Sequence, residues 1–203
     1  MRHLFTLCVI GCGSLLADPV LTFNSSGALS GDNYNQTVGW EFDVLSTITV
    51  DGLGWFAEGA AGLPTSHEIG IWNSSGTLVA SGTVASGTAD PLDGLFRTVS
   101  ITPVVLTPGV YIIGGQNFST NTEQLAFGVS PETASSISFI TGEFIDGGFA
   151  EPTTATGDSN CCWGPSFSVE SGGVSLVPEP AWGGFVLAFG LAGMVFVRRR
   201  KSA

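Results

Sequence analysis

Positive charge is almost missing from the interior of this 203-residue chain. Lysine and arginine together number six, and five of them sit at the ends: Arg2 near the start, then Arg198, Arg199, Arg200 and Lys201. Only Arg97 lies between residues 18 and 177, a stretch that holds sixteen of the seventeen acidic residues, Glu179 being the exception. A domain this acidic repels phosphate backbones, which excludes nucleic acid as a partner. Histidine is nearly as scarce, with His67 alone in the interior. No second histidine or free cysteine stands at metal-site spacing, and no EF-hand repeat is present, so no cofactor is expected. Helical periodicity is lacking too. No 11-residue window of the interior keeps a 3.6 period without Gly or Pro, which excludes a helical domain.

Each end carries an uncharged, predominantly apolar run. Arg2 and His3 form a short polar region, and residues 4–16 carry no charge. Ser14-Leu15-Leu16-Ala17 then sets a small residue before Asp18, so residues 1–17 read as a secretory signal peptide cut at that point. A rival reading takes Val9-Ile10-Gly11-Cys12 as a lipobox with Cys12 lipidated. It leaves only about eight apolar residues before the cut, short for an h-region of ~7–15, and is the less favoured of the two. Both readings export the chain.

At the other end, residues 181–197 are 17 residues without charge. As a helix they reach roughly 25 Å at ~1.5 Å per residue, the short end of what a membrane crossing needs. Gly183, Gly184, Gly190 and Gly193 would weaken a helix in water, whereas membrane helices carry glycine readily. A buried core helix is the alternative, but it leaves the basic cluster that follows unexplained. Arg198, Arg199, Arg200 and Lys201 suit cytoplasmic headgroups, so residues 181–197 read as a transmembrane helix and 198–203 as its cytoplasmic anchor. An exported N-terminus demands the same orientation.

The ending as a whole, Val177-Pro178-Glu179-Pro180 followed by the apolar run and the basic cluster, resembles the PEP-CTERM sorting tail of exported bacterial proteins. The resemblance covers about the last 26 residues. It implies recognition of Pro178, Glu179 and Pro180 by exosortase, a membrane cysteine protease, which releases or transfers the protein to the cell surface or extracellular polymer. The same tail is labelled after ice-binding proteins that carry it, though the tail itself confers no affinity for ice. Two prolines hold an extended segment with few backbone donors, open to a protease at the membrane surface. Residues 171–180 are then a linker and residues 18–170 an ectodomain.

The ectodomain reads as β throughout. Val38, Trp40, Phe42 and Val44 alternate with Gly39, Glu41 and Asp43, a period-two strand with one wet face. Further runs follow at 47–50, 53–56, 68–72, 78–84, 96–101, 104–106, 110–113, 124–129, 136–140 and 167–169. Turn signals separate them, among them Asn73-Ser74-Ser75-Gly76, Thr107-Pro108-Gly109 and Asp146-Gly147-Gly148. About ten short strands at this spacing predict an antiparallel β-sandwich or jelly roll. Within it, residues 66–84 carry a His-Glu-x-Gly-Ile-Trp strand and a Gly-Thr-Leu hairpin; residues 96–115 add a Phe-Arg strand and a Leu-Thr-Pro-Gly-x-Tyr turn. This pattern, over residues 38–115, resembles an uncharacterised family of bacterial secreted β-sandwich domains. Such domains occur as modules of cell-surface and polysaccharide-associated proteins, without an established reaction.

Several residues invite a functional role. His67 and Glu68 would make a catalytic or metal pair, but alternation sends them to opposite faces of a strand, and a strand start is the expected role. Arg97 is expected to neutralise carboxylates, Glu68 or Glu41 among them. Cys161 and Cys162 remain after export, and an oxidising compartment favours a vicinal disulfide over a bridge between chains or two free thiols. They precede Trp163-Gly164-Pro165-Ser166-Phe167, which resembles the aromatic-Gly-Pro-Asn-Phe ending of the last strand in proteins with this tail, Ser166 replacing the asparagine. Asp146 and Asp158 could hold a structural Ca²⁺, although solvated loops explain them more simply. Trp55, Trp72 and Trp163 could stack on sugars, but strand aromatics belong in a core.

The expected function is therefore that of a non-enzymatic cell-surface or extracellular-matrix protein, sorted by exosortase. A carbohydrate-binding module is the alternative, and an exposed aromatic row on one sheet would mark it. A secreted hydrolase would need a nucleophile, a base and an orienting group together, and no motif supplies them.

Overall fold

A computed structural model of the chain describes residues 18–23, 28–31, 34–57, 62–119, 124–157 and 163–170. The signal segment, Asp158, Cys161, Cys162, the Pro178–Pro180 triplet, the apolar run and the basic cluster lie outside the described residues. Among the described residues there is no helix, hence none long and apolar enough to cross a membrane, and every strand pairing is antiparallel.

Strands are numbered in chain order. One sheet has six, in the order β14 (Thr154–Ala155), β13 (Ile137–Asp146), β4 (Gln36–Val44), β10 (Gly109–Asn117), β6 (His67–Asn73) and β7 (Leu78–Val84). The other has five: β1 (Asp18–Pro19), β15 (Pro165–Val169), β5 (Ile48–Phe56), β9 (Phe96–Leu106) and β8 (Leu92–Asp93). Two small ladders join β11 (Gln124–Phe127) to β3 (Ala28–Gly31) and β12 (Pro131–Thr133) to β2 (Leu21–Phe23).

The alternation of β4 builds the core. Val38, Trp40, Phe42 and Val44 are all buried, and each such side chain contributes roughly 1.5–3 kcal/mol through its removal from water. Trp40 reaches across to the five-stranded sheet, stacking on Phe167 of β15 with centroids 5.9 Å apart and planes at 15°. Its indole Nε1 donates to the Pro165 carbonyl at 2.9 Å. Phe42 meets the same Phe167 at 5.1 Å, and Trp163 packs on Trp40 at 6.1 Å and on Phe139 at 5.0 Å. The two sheets thus face each other through one aromatic core.

Two pairs of expected strands are continuous. The runs at 47–50 and 53–56 join into β5, and those at 96–101 and 104–106 join into β9. A bulge lets both continue. Val50 pairs with Val104 and Gly52 with Ser100, so Asp51 on one side and Ile101–Pro103 on the other fall out of register. Pro103, which has no N–H to give a ladder, sits where none is required. Asp51 is skipped by β15 as well, and its carboxylate accepts a bond from Ser168 Oγ at 3.0 Å.

The three turn signals are turns. Asn73 Oδ1 accepts from the backbone N–H of Ser75 at 3.1 Å and of Thr77 at 3.0 Å, closing the β6–β7 hairpin. Tyr111 donates its hydroxyl to the Thr107 carbonyl at 3.1 Å. Gly147 takes a φ of 109°, open to glycine alone without strain, and its N–H donates to the Asn35 carbonyl.

The wet face expected of β4 is only half wet. Gly39 and Thr37 are buried on it, and Glu41 and Asp43 are half-buried. The cover is the segment 147–153, which leaves β13, crosses the outer face and returns as β14. Ala150 N–H donates to Thr37 Oγ1 at 3.2 Å, and Thr37 Oγ1 donates to the Gly148 carbonyl at 3.1 Å. Phe149 packs on Trp72 at 5.3 Å.

Candidate functional site

His67 stacks on Trp55, and Trp55 is also the register partner of Arg97. His67 opens β6 and points inward, where its imidazole lies flat on Trp55 of β5, 3.9 Å between centroids and 6° between planes. Its Nδ1 donates to the Gln116 carbonyl at 2.9 Å, which puts the ring proton on that nitrogen. Arg97 is the Cα partner of Trp55 on β9, so the two side chains leave the same face of the sheet. It too is buried, and its Nη1 donates to the Asp90 carbonyl at 2.8 Å. The Asp90 carboxylate accepts from Ala85 N–H at 2.6 Å. Glu68, as alternation requires, is exposed while its neighbour His67 is buried.

This geometry separates the pair that looked catalytic. A general base must reach the proton it removes, and His67 is spent on a ring face and a backbone carbonyl inside the core. His67 thereby links β6 to β10, through the Gln116 carbonyl, and to β5 of the facing sheet, through the Trp55 ring.

The outer face of the six-stranded sheet holds a second cluster, for which the sequence carries no signal. Glu143 of β13 is opposite Gly39, and Glu41 lies two residues along β4 on the same face. Glu143 is only 8% exposed, and its Oε2 has no hydrogen-bond partner among the described residues. Burial, and then the charge of Glu41, push its carboxyl above the ordinary glutamate value. Because the folded-state value is the raised one, Glu143 favours the fold below the ordinary carboxylate range, and that favour is lost as pH rises through the raised value. Glu143→Gln is therefore expected to raise the melting temperature at about pH 8 and to give no gain near pH 3. Thermal melts of both proteins across pH check this; a parallel loss at every pH would contradict it.

Trp55 and Trp163 belong to the core, and Trp72 is buried beneath Phe149 of the covering segment. Trp55, Trp72 and Trp163 are 0%, 5% and 1% exposed, so they offer a sugar ring no platform. Trp163 also explains the motif it begins. Gly164 is required because a Cβ there would meet the Trp55 ring at 2.7 Å and Leu125 Cδ2 at 2.8 Å. Pro165 offers the carbonyl that receives Trp40, and Phe167 supplies the ring on which Trp40 stacks. Ser166 is buried, with no hydrogen-bond partner for its hydroxyl among the described residues.

Asp146 is exposed at the end of β13, its proposed companion Asp158 lies outside the described residues, and no group of three or more His, Cys, Asp or Glu side chains among the described residues is placed to hold an ion.

No curated protein and no solved structure matches this chain. A family model does, across residues 24–160. That span takes in the hairpin pattern of residues 66–115, the buried His67 and Arg97, the buried tryptophans Trp40, Trp55 and Trp72, and the Glu143 cluster. It covers well over half of the 203 residues, and the chain accordingly belongs to the family described as Domain of unknown function (DUF4082).

Proposed function

We propose that this is an exported, non-enzymatic protein of the cell surface or extracellular matrix, held in the membrane by residues 181–197 until exosortase acts at its PEP-CTERM tail. The single observation that carries the reading from the fold is the pairing of the domain's ends. Asp18 is the Cα partner of Val169 and Pro19 that of Ser168. The strand that begins at the expected signal cut is thus the neighbour of the strand that leads to the sorting tail. A folded unit of this kind can stand at a membrane with both processed ends on one side.

The interior supports a structural role. The one interior histidine and the one interior arginine are packed into the core, and the described tryptophans are buried with them. A carbohydrate-binding module remains the second reading, on the resemblance to polysaccharide-associated domains alone. Extracellular polysaccharide is then a partner of the surface at large, and the absence of exposed cations among the described residues argues for a neutral or cation-bridged polymer.

The tail is tested by splitting its components. Replacing Pro178, Glu179 and Pro180 with alanine leaves the apolar run and its basic anchor intact. In the native host this variant should accumulate as a full-length membrane form, while the unaltered protein is shortened and leaves the membrane fraction. Replacing Arg198, Arg199, Arg200 and Lys201 with serine removes the anchor instead, so the tail should slip through or insert poorly. Equal processing of the triplet variant and the unaltered chain would reduce the triplet to a linker.

A further inference from the structure

The outer face of the six-stranded sheet carries negative charge with nothing to balance it. Glu41 and Asp43 of β4 and Glu143 of β13 share that face, with Glu68 of β6 further across. Among the described residues no cation answers them, since Arg97 and His67 are both packed inside the sandwich. Glu41 and Asp43 are half-buried and Glu68 is exposed, so water reaches their charge. Glu143 has lost most of that solvation, being 8% exposed.

A carboxylate taken out of water is costly unless hydrogen bonds, an ion pair or a metal satisfies it. Glu143 Oε2 is enclosed and meets no hydrogen-bond donor among the described residues. The register shows what stands beside it. Gly39 of β4 is its partner on one side and Ala155 of β14 on the other, so neither neighbour brings more than a methyl group. Glu41, the next residue along β4 on this face, is close enough for its charge to act on the Glu143 carboxyl. Two carboxylates thus converge over a glycine, one of them buried and lacking a donor.

We propose that Glu143 and Glu41 together hold a divalent cation, calcium by the chemistry of the site, over Gly39. The side chains offered are hard oxygen ligands, with no imidazole or thiolate to favour zinc. Magnesium demands near-ideal octahedral geometry and sheds its water reluctantly, whereas calcium accepts six to eight oxygens in a flexible shell. The two carboxylates supply at most four of these, and no third acidic side chain among the described residues joins them. Water and backbone carbonyls complete the shell, which the half-buried position of Glu41 permits. So low a ligand charge sets the affinity in the weak class of calcium sites, about 10⁻⁴–10⁻³ M. Bound there, the ion cancels the repulsion between Glu41 and Glu143. It ties β4 to β13 at the level where β14 joins the sheet.

The test compares the full chain, purified in nonionic detergent, with Glu143→Gln, Glu41→Gln and the control Glu132→Gln. Glu132 is exposed on the separate β12–β2 ladder. Each protein is melted at pH 8 in EDTA, in about 10 mM CaCl2 and in NaCl of equal ionic strength, the calcium level being chosen to fill a site of this class. Calcium should raise the melting temperature of the unaltered chain and of Glu132→Gln by roughly 3–8 °C beyond the NaCl effect. It should move Glu143→Gln and Glu41→Gln by no more than about 1 °C. Equilibrium dialysis with radioactive calcium should count one ion fewer per chain in each of those two variants. A calcium effect equal in all four proteins, or one that NaCl reproduces, would overturn the site. An unaltered chain that calcium leaves unmoved would overturn it as well. If Glu143→Gln does not fold, Glu41→Gln decides by the same comparison.

Discussion

Trp40→Ala should leave the domain close to its unfolding midpoint. Trp40 is 0% exposed and joins the sheets by its stack on Phe167, its contact with Trp163 and its bond to the Pro165 carbonyl. Truncating a buried tryptophan to alanine costs about 3–5 kcal/mol in lost transfer and cavity. The lost hydrogen bond strands the Pro165 carbonyl and adds about 1 kcal/mol. Together these approach the whole stability of a domain at the low end of ~5–15 kcal/mol. The melting temperature should fall by roughly 10–20 °C, if a cooperative transition survives at all. Trp40→Phe keeps a ring on Phe167 and loses mainly the bond, so its cost should stay near about 1–2 kcal/mol. Urea melts of the three proteins separate these values. An alanine variant within about 2 °C of the unaltered protein would remove Trp40 from the centre of the core.

The second large effect comes from adding one carbon. A Cβ on Gly39 would lie 1.8 Å from the Ile113 carbonyl oxygen and 2.8 Å from the Gly114 Cα. Both obstacles are backbone of β10, the register partner of β4, and neither can rotate aside as a side chain tip could. Gly39→Ala must therefore push these central strands away from each other, and a cost of about 3 kcal/mol, the top of the usual overpacking range, is expected. Gly148→Ala is the control. Its nearest atom would be Gln116 Nε2 at 4.0 Å, and a change of no more than about 0.5 kcal/mol should follow. Comparable melts for the two variants would contradict the close approach of β4 and β10.

These two sites mark what a reader of the sequence can and cannot see. The alternation of Val38, Trp40, Phe42 and Val44 announces a strand and its buried face directly, because a period of two is a local property. The turns at Asn73, Thr107 and Asp146 are equally local. The need for glycine at position 39 is not, since the atoms that forbid a side chain belong to Ile113 and Gly114 on a distant strand. Continuity of β5 and β9 was hidden for a related reason: Asp51 and Pro103 look like breaks until the register is known, and a bulge absorbs them both.

The candidate residues divide in the same way. That His67 and Glu68 face opposite sides followed from alternation alone. That His67 would lie flat on Trp55, with Arg97 the register partner of the same residue, depended on which strands pair and which face each other. Glu143 carried no signal at all. It stands in an ordinary run of β13, between Gly39 of β4 and Ala155 of β14, neighbours that only the register reveals. In the Trp163–Phe167 stretch, by contrast, a short motif already held the information. Its aromatic, glycine, proline and phenylalanine each answer a contact of the last strand.

The account's central claim is that one folded domain is bounded by two processed ends. Intact-mass analysis of the mature protein, purified from its native host, measures both ends together. The account predicts a chain that begins at Asp18 and ends close to Pro178-Glu179-Pro180, without residues 181–203. A mature protein that retains those residues, or that begins at a lipidated Cys12, would contradict it.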